Sequence, residues 1–281
     1  MKKWLLATVL GATMIFASAC GGGSNQGGSS GGSDNEKNEV IKVGASPVPH
    51  AEILEEAKPL LEKKGYKLEI EEFTDYVLPN KALAEKDIDA NYFQHIPYLE
   101  AQKQEHGYDF VNAGGIHIEP IGVYSKKYKS LEELPDGATI IMSNSVADHG
   151  RMLSMLEEKG LIKLKDGVDK TKATVDDIAE NKKNLKFKTD IEAPMLTKAY
   201  ENNEGDAVLI NGNFALDAGL DPSKDAIALE SPKDNPYVNV IAVRSEDKDS
   251  EKIKALVEVL QSDEIKEFIQ TNYQGSVIPA E

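Results

Sequence analysis

An α/β fold in two lobes, with the chain crossing between them twice, is predicted by three features of the sequence. Short apolar runs alternate with helical stretches from residue 40 onward. A second set of the same alternation starts near residue 138. Two extended segments, 111–124 and 237–243, stand between the sets and after them. Residues 40–121 plus 237–281 then make a discontinuous first lobe and 122–236 a second one, and a chain of 281 residues is long enough for both.

The elements follow in order. Lys2 and Lys3 precede an apolar run, 4–16, that is too short for an ordinary transmembrane helix, and Ala17-Ser18-Ala19-Cys20 follows it. Residues 1–19 read as a signal peptide. Cys20 is the sole cysteine, so it forms no disulfide within the chain. After it, a Gly/Ser-rich stretch to residue 39 has almost no apolar content to bury and reads as a flexible tether, with a reach of roughly 25 Å.

The folded part begins with a strand at 40–45. A helix is expected at 50–64, its apolar stripe made by Ile53, Leu54, Ala57, Leu60 and Leu61, with Pro59 bending or splitting it. The alternation at 66–73 is a strand, parallel to the first. A short helix at 81–86, a strand at 88–93 and a helix at 97–106 come next. Segment 111–124 is extended, and Gly114-Gly115 and Glu119-Pro120 are expected to interrupt it where the chain passes between lobes. In the second lobe the pattern gives strands at 138–142, 185–188 and 207–210, and helices at 148–159, 175–179 and 193–201. Two helices, 250–260 and 263–271, close the chain.

The formal charge of −16, more negative still without Lys2 and Lys3, repels nucleic acid, which is excluded as a partner. No GxSxG elbow, Walker loop, HExxH or strand-borne GxGxxG occurs, so no enzyme signature is present and none of these cofactor motifs. His50, His95, His106, His117 and His149 lack helical ligand spacing. Three of them converging in space on a metal, as in a metal-dependent hydrolase, is the alternative of another class.

Recognition chemistry concentrates in 89–99, where Tyr92, Phe93 and Tyr98 alternate with Asn91, Gln94 and His95, and in the aromatic and polar cluster Asp75-Tyr76-Val77-Leu78-Pro79-Asn80. Singly, Tyr76, Phe93 and Tyr98 each read equally well as plain core or surface aromatics and as binding residues. The polar neighbours, which packing alone does not require, favour a wall for a small apolar molecule with a polar end. Arg151 falls in the first turn of a helix, where a cation opposes the dipole; it is either solvated or turned into the cleft to grip a carboxylate. Asp148 is either the cap of that helix or a partner for an ammonium.

Val77-Leu78-Pro79-Asn80, Asp87 through Leu99 (DIDANYFQHIPYL), Gly150-Arg151, Gly160 through Gly167 (GLIKLKDG) and Asn235-Pro236-Tyr237-Val238-Asn239 resemble the NlpA/MetQ methionine-binding lipoproteins, over nearly all of 40–281. The resemblance implies a two-lobed periplasmic-binding-protein-like fold with two interlobe crossings (type II). It implies a monomeric receptor without catalysis, metal or cofactor, which passes its ligand to an ABC permease with its ATPase. Cys20 would carry a lipid that holds the protein on the extracytoplasmic face of the membrane. Tyr76, Phe93, His95 and Tyr98 would line a thioether pocket, Arg151 would bind the α-carboxylate, and Asn211 and Asn239 the remaining polar atoms. Asp148 stands where many members carry Asn, in Ser143-Asn144-Ser145-Val146-Ala147-Asp148 against PNDPTN. L-methionine, D-methionine, a Met-containing dipeptide and another small apolar amino acid stay open as ligands.

Overall fold

The computed structural model describes residues 39–280. The expected signal peptide, Cys20 and the tether as far as residue 38 lie outside the described residues.

β1 (Glu39–Ala45) lies parallel to β2 (Tyr66–Glu72), and α1 (Glu52–Lys63) crosses between them after a helical turn at Pro47–Ala51. Pro59 does not split α1. It stands on the exposed face, so the carbonyl four residues back that loses its donor belongs to exposed Glu55, while Ile53, Leu54, Ala57 and Leu61 are buried. α2 (Leu78–Glu85) ends at Lys86 in a left-handed conformation, and β3 (Ala90–His95) is buried along its whole length. His95 both ends β3 and starts α3 (Ile96–His106), its Nδ1 accepting the Tyr98 backbone N–H at 3.1 Å.

β4 (Phe110–Ile118) continues through Gly114-Gly115 with a register shift against its neighbour on each side of the pair, so the interruption expected there is a bulge and does not end the strand. A Cβ on Gly114 would come within 2.5 Å of the Val257 side chain, so the glycine lets a helix approach the strand closely. The strand ends only at Glu119, and β5 (Gly122–Tyr124) opens a second sheet. That sheet gains β6 (Thr139–Ser143), α4 (Val146–Glu158), and a two-stranded side ribbon of β7 (Ile162–Leu164) and β8 (Ile178–Asn181). The helix expected at 175–179 is a single 3₁₀ turn, Val175–Asp177, closed by a capping box between Thr174 and Asp177 before the chain turns extended to pair with β7. β9 (Lys186–Ile191), α5 (Leu196–Glu201), β10 (Ala207–Ile210), α6 (Gly212–Asp217), α7 (Pro222–Asp225) and β11 (Ala228–Leu229) follow. The chain then returns to the first sheet as β12 (Val238–Arg244), α8 (Glu251–Leu260), α9 (Asp263–Tyr273) and β13 (Ile278–Pro279).

The first sheet has the order β13-β4-β12-β3-β1-β2, with β12 antiparallel to its neighbours, and the second β11-β5-β10-β6-β9. Each is covered on both faces. In the first, α1, α8 and α9 bury Leu54, Leu61, Leu256 and Ile269 against Ile41, Val43 and Ile241; α2 and α3 bury Leu83 and Leu99 against Val240 and Ala242. In the second, Met152, Leu153 and Leu156 of α4 meet Ile140, Met142 and Leu209, while Leu196, Ala199 and Ala215 meet Ile141, Val208 and Ile210 on the other side. The fold is a two-lobed α/β architecture that the chain crosses at 119–121 and again at 230–237.

Candidate functional site

Strand ends aim the site. His95 closes β3, Asn239 is its register partner on β12, and His117 is the partner of Asn239 on β4, so three side chains stand in one row at the edge facing the second lobe. Across from them, Asp148 and Arg151 come from α4 and Asn211 follows β10. Between lies a cavity of about 370 Å³, counting the open space at its mouth. All eight residues singled out in the sequence, Tyr76, Phe93, His95, Tyr98, Asp148, Arg151, Asn211 and Asn239, line it.

One side is aromatic. Tyr76, Phe93 and Tyr98 lie with ring centroids 5.9–6.1 Å apart, inclined rather than stacked. The Tyr98 hydroxyl donates to the Tyr76 carbonyl at 2.9 Å, and the Tyr76 hydroxyl donates across the cleft to Asn213 Oδ1 at 2.6 Å. The polar residues of this stretch divide into two groups, against the expectation that they all serve recognition. Asn80, Asn91 and Gln94 hydrogen-bond to one another at 2.8–3.1 Å and pin α2 to β3; of the three, only Gln94 reaches the cavity.

The other side is charged. Arg151 lies in the second turn of α4, not the first, because the helix starts at Val146; opposition to the dipole is correspondingly weak. It is buried, with Nε donating to Glu230 Oε1 at 3.2 Å and Nη2 to Glu230 Oε2 and the Glu119 carbonyl, and the Tyr237 ring stacks over it at 4.6 Å. Burial opposes its charge, but Glu230 and Asp148 more than offset this and hold the guanidinium firmly protonated. Nη1 makes no hydrogen bond to the described residues, which leaves two N–H groups for a carboxylate. Asp148 is not the cap of α4. Its Oδ1 accepts from His95 Nε2 at 2.9 Å across the cleft, and its Oδ2 from Asn211 Nδ2 at 3.1 Å. Burial pushes this carboxyl up, yet His95, Arg151 and Asn211 outweigh burial and bring it below its ordinary value.

The histidines are accounted for one by one. His95 bridges the lobes, His149 donates to the Ser143 carbonyl at 2.8 Å, and His106 sits at the surface beside Tyr108. His50 and His117 meet Glu119, and their nitrogens and its carboxylate lie within 4.8 Å of one another, close enough for one metal ion. Hydrogen bonding accounts for the same geometry. Both Nε2 atoms point at Glu119 Oε1, at 3.2 and 2.7 Å, His50 Nε2 also reaches Asn239 Oδ1 at 3.1 Å, and the Tyr92 hydroxyl meets His117 Nδ1.

Sequence reasoning missed Glu119, Glu230 and Tyr237. Acidic residues are mostly exposed, so nothing marks Glu230 as buried. Glu119 carried a signal, because the Glu-Pro pair at the first crossing has to pass the cleft.

Two α/β lobes with a cavity between them that is aromatic on one side and charged on the other define the class of substrate-binding proteins that capture a small molecule between lobes. The family model for NlpA lipoprotein matches residues 41–281. The chain belongs to the NlpA lipoprotein family. It is 56% identical to the methionine-binding lipoprotein MetQ of Bacillus subtilis, over 99% of each chain. It is 42% identical to the D-methionine-binding lipoprotein MetQ of Escherichia coli K12, over 88% of this chain and 90% of that one. Among solved structures, a nutrient-binding protein from Burkholderia cenocepacia bound to methionine superposes with a TM-score of 0.81 at 46% identity, covering 86% of this chain and all of that one.

Proposed function

We propose that this chain is a lipid-anchored extracytoplasmic receptor that binds methionine between its lobes and delivers it to an ABC importer, without catalysis of its own. The observation that carries the reading is the pairing, in one cavity, of the Tyr76, Phe93 and Tyr98 cage with the buried guanidinium of Arg151. Relatives named for methionine binding, and a methionine-bound neighbour in the same fold, support it.

In this reading the thioether rests against Tyr76, Phe93, His95 and Tyr98, the carboxylate takes Nη1 of Arg151, and Asn211 and Asn239 serve the remaining polar atoms. Burying a methionine side chain contributes about 2–3 kcal/mol, and each sulfur–aromatic contact about 0.3–1.5 kcal/mol. A desolvated zwitterion without partners costs more than that, so the polar side is needed for binding at all and the aromatic side selects the side chain. The lobes, 40–121 plus 237–281 and 122–236, close around the ligand, and the closed form is what the permease reads. Lipid on Cys20 and the Gly/Ser tether keep the receptor at the membrane; among the described residues no helix is long and apolar enough to cross it.

Calorimetry on the ligand-stripped chain tests this with L-methionine, D-methionine and methionyl peptides; no heat from any of them refutes it. The competing observation is the His50, His117 and Glu119 group. Stoichiometric zinc that survives dialysis of the purified chain would favour a metal-dependent hydrolase instead.

A further inference from the structure

A zwitterion brings a carboxylate and an ammonium, and Arg151 answers only the first. An ammonium offers three donors and no acceptor, so its site has to present oxygens with lone pairs to spare, first of all those the protein has left without any donor. The buried acceptors of the cavity can be audited one by one. Behind Arg151, outside the cavity lining, both oxygens of Glu230 are matched by Arg151 Nε and Nη2, and Oε2 also accepts the Ile121 N–H at 3.2 Å. Both oxygens of Asp148 are matched, by His95 and Asn211. Asn239 Oδ1 receives His50, and Asn213 Oδ1 receives Tyr76.

Two acceptors stand apart. Asn211 Oδ1 is buried and has no hydrogen-bond partner, because the amide is turned so that Nδ2 serves Asp148. Glu119 is 5% exposed, and its Oε1 takes the N–H of His117, with His50 Nε2 3.2 Å away; among the described residues nothing donates to Oε2. Both residues line the cavity. They also lie side by side: a Cβ built on Gly212, the neighbour of Asn211, would come 3.1 Å from Glu119 Oε2 and 2.9 Å from its Cβ. Glycine at 212 is what gives the carboxylate room there.

We propose that Glu119 is the ammonium acceptor of this cavity, its Oε2 acting with Asn211 Oδ1, and that it confers selectivity for ligands with a free amino group. The two histidines behind it are positioning residues. His117 donates to Oε1 and His50 packs against the same oxygen, which fixes the carboxylate plane and leaves Oε2 facing the ligand; the Tyr92 hydroxyl at His117 Nδ1 holds that ring in place. Burial raises the Glu119 carboxyl, but His50, His117 and Arg151 outweigh burial and keep it below its ordinary value, so it is an anion when the ligand arrives. Asp148, the position where the sequence suggested an ammonium partner, is occupied instead in bridging the lobes.

The assignment rests on the receptor reading above, and the test separates the two. The full chain in detergent is titrated calorimetrically with L-methionine and with 4-(methylsulfanyl)butanoate, which keeps the carboxylate and thioether but lacks the amine. The wild-type chain is expected to prefer L-methionine by about 10- to 100-fold, the worth of a buried charge-assisted bond. In Glu119→Gln the amide carbonyl still serves the histidines while its NH₂ opposes the ammonium. The preference is therefore expected to fall to within about threefold, through loss of affinity for L-methionine. An undiminished preference in Glu119→Gln overturns the assignment, and so does equal weakening of both ligands, which a merely structural Glu119 would give. A wild-type chain silent to both ligands overturns the receptor reading and the assignment with it. Should Glu119→Gln not fold, Glu119→Asp decides by the same ratio, since it keeps an anion for His50 and His117 but draws it back from Asn211.

Discussion

Arg151 shows how much one residue can carry. Its Nε and Nη2 are committed to Glu230 and to the Glu119 carbonyl, so Nη1 arrives at the cavity already oriented. Arg151→Ala is expected to abolish most of the thermal stabilisation that methionine confers. It also leaves Glu230 buried without its partner, and the ligand-free chain should lose about 3–5 kcal/mol in urea unfolding. A variant that keeps the methionine-induced shift would refute the role. His50 supplies a second prediction. Burial pushes it from 6.5 down to about 4, so between those values the unfolded chain binds a proton that the native chain does not. Stability is then full above pH 6.5 and falls as pH drops toward 4, by about 1.4 kcal/mol per unit at most. Glu119 and Asp148, both held below their ordinary values, contribute stability that is present above the unfolded carboxylate range and lost as pH falls through their depressed folded values. A melting temperature flat from pH 7 to 4.5 would contradict this. At this scale the sequence was legible where chemistry clusters, as in Phe93 to Tyr98. It was silent at Glu230, which looks like any of the many surface acids, and Glu119 was marked only by its place at the first crossing.

Elements bring these residues to one place, and α4 is the most exposed to disturbance. A Cβ on Gly150 would lie 2.1 Å from the Lys170 carbonyl oxygen and 2.9 Å from the Thr171 carbonyl carbon, so the helix touches the loop at its back through a bare backbone. Gly150→Ala should push α4 away, with Asp148 and Arg151 on it. The expectation is a loss of about 1–3 kcal/mol in urea unfolding together with weakened methionine affinity. Unchanged affinity and stability would mean that the loop at 170–171 yields freely. Elements with an unambiguous period were readable: β10 has the bounds expected, and the α1 stripe is buried nearly as written. Local signals fell short where packing decides. Pro59 falls on a solvent-facing side of its helix and does not split it, Gly114-Gly115 gives close packing and two register shifts without ending the strand, and the 175–179 run is claimed by pairing with β7 after one turn. In each case tertiary contact decided what local preference left undetermined.

At the scale of the whole molecule, the lobes meet through bonds that cross the cleft: His95 to Asp148, Tyr76 to Asn213, and the Tyr76 ring against Phe214 at 5.0 Å. The ligand proposed here adds Arg151 from one lobe to the aromatic cage of the other, so binding and closure are one equilibrium. The two-lobed layout was readable because strand and helix rhythms come in two sets, and the return to the first lobe was marked by the extended run after Asn235-Pro236. The most direct test of the central claim is a calorimetric titration of the ligand-stripped full chain with L-methionine. A saturable one-to-one isotherm that Arg151→Ala abolishes is the predicted result. Absence of heat from the wild-type chain with L-methionine, D-methionine and methionyl peptides alike would contradict it.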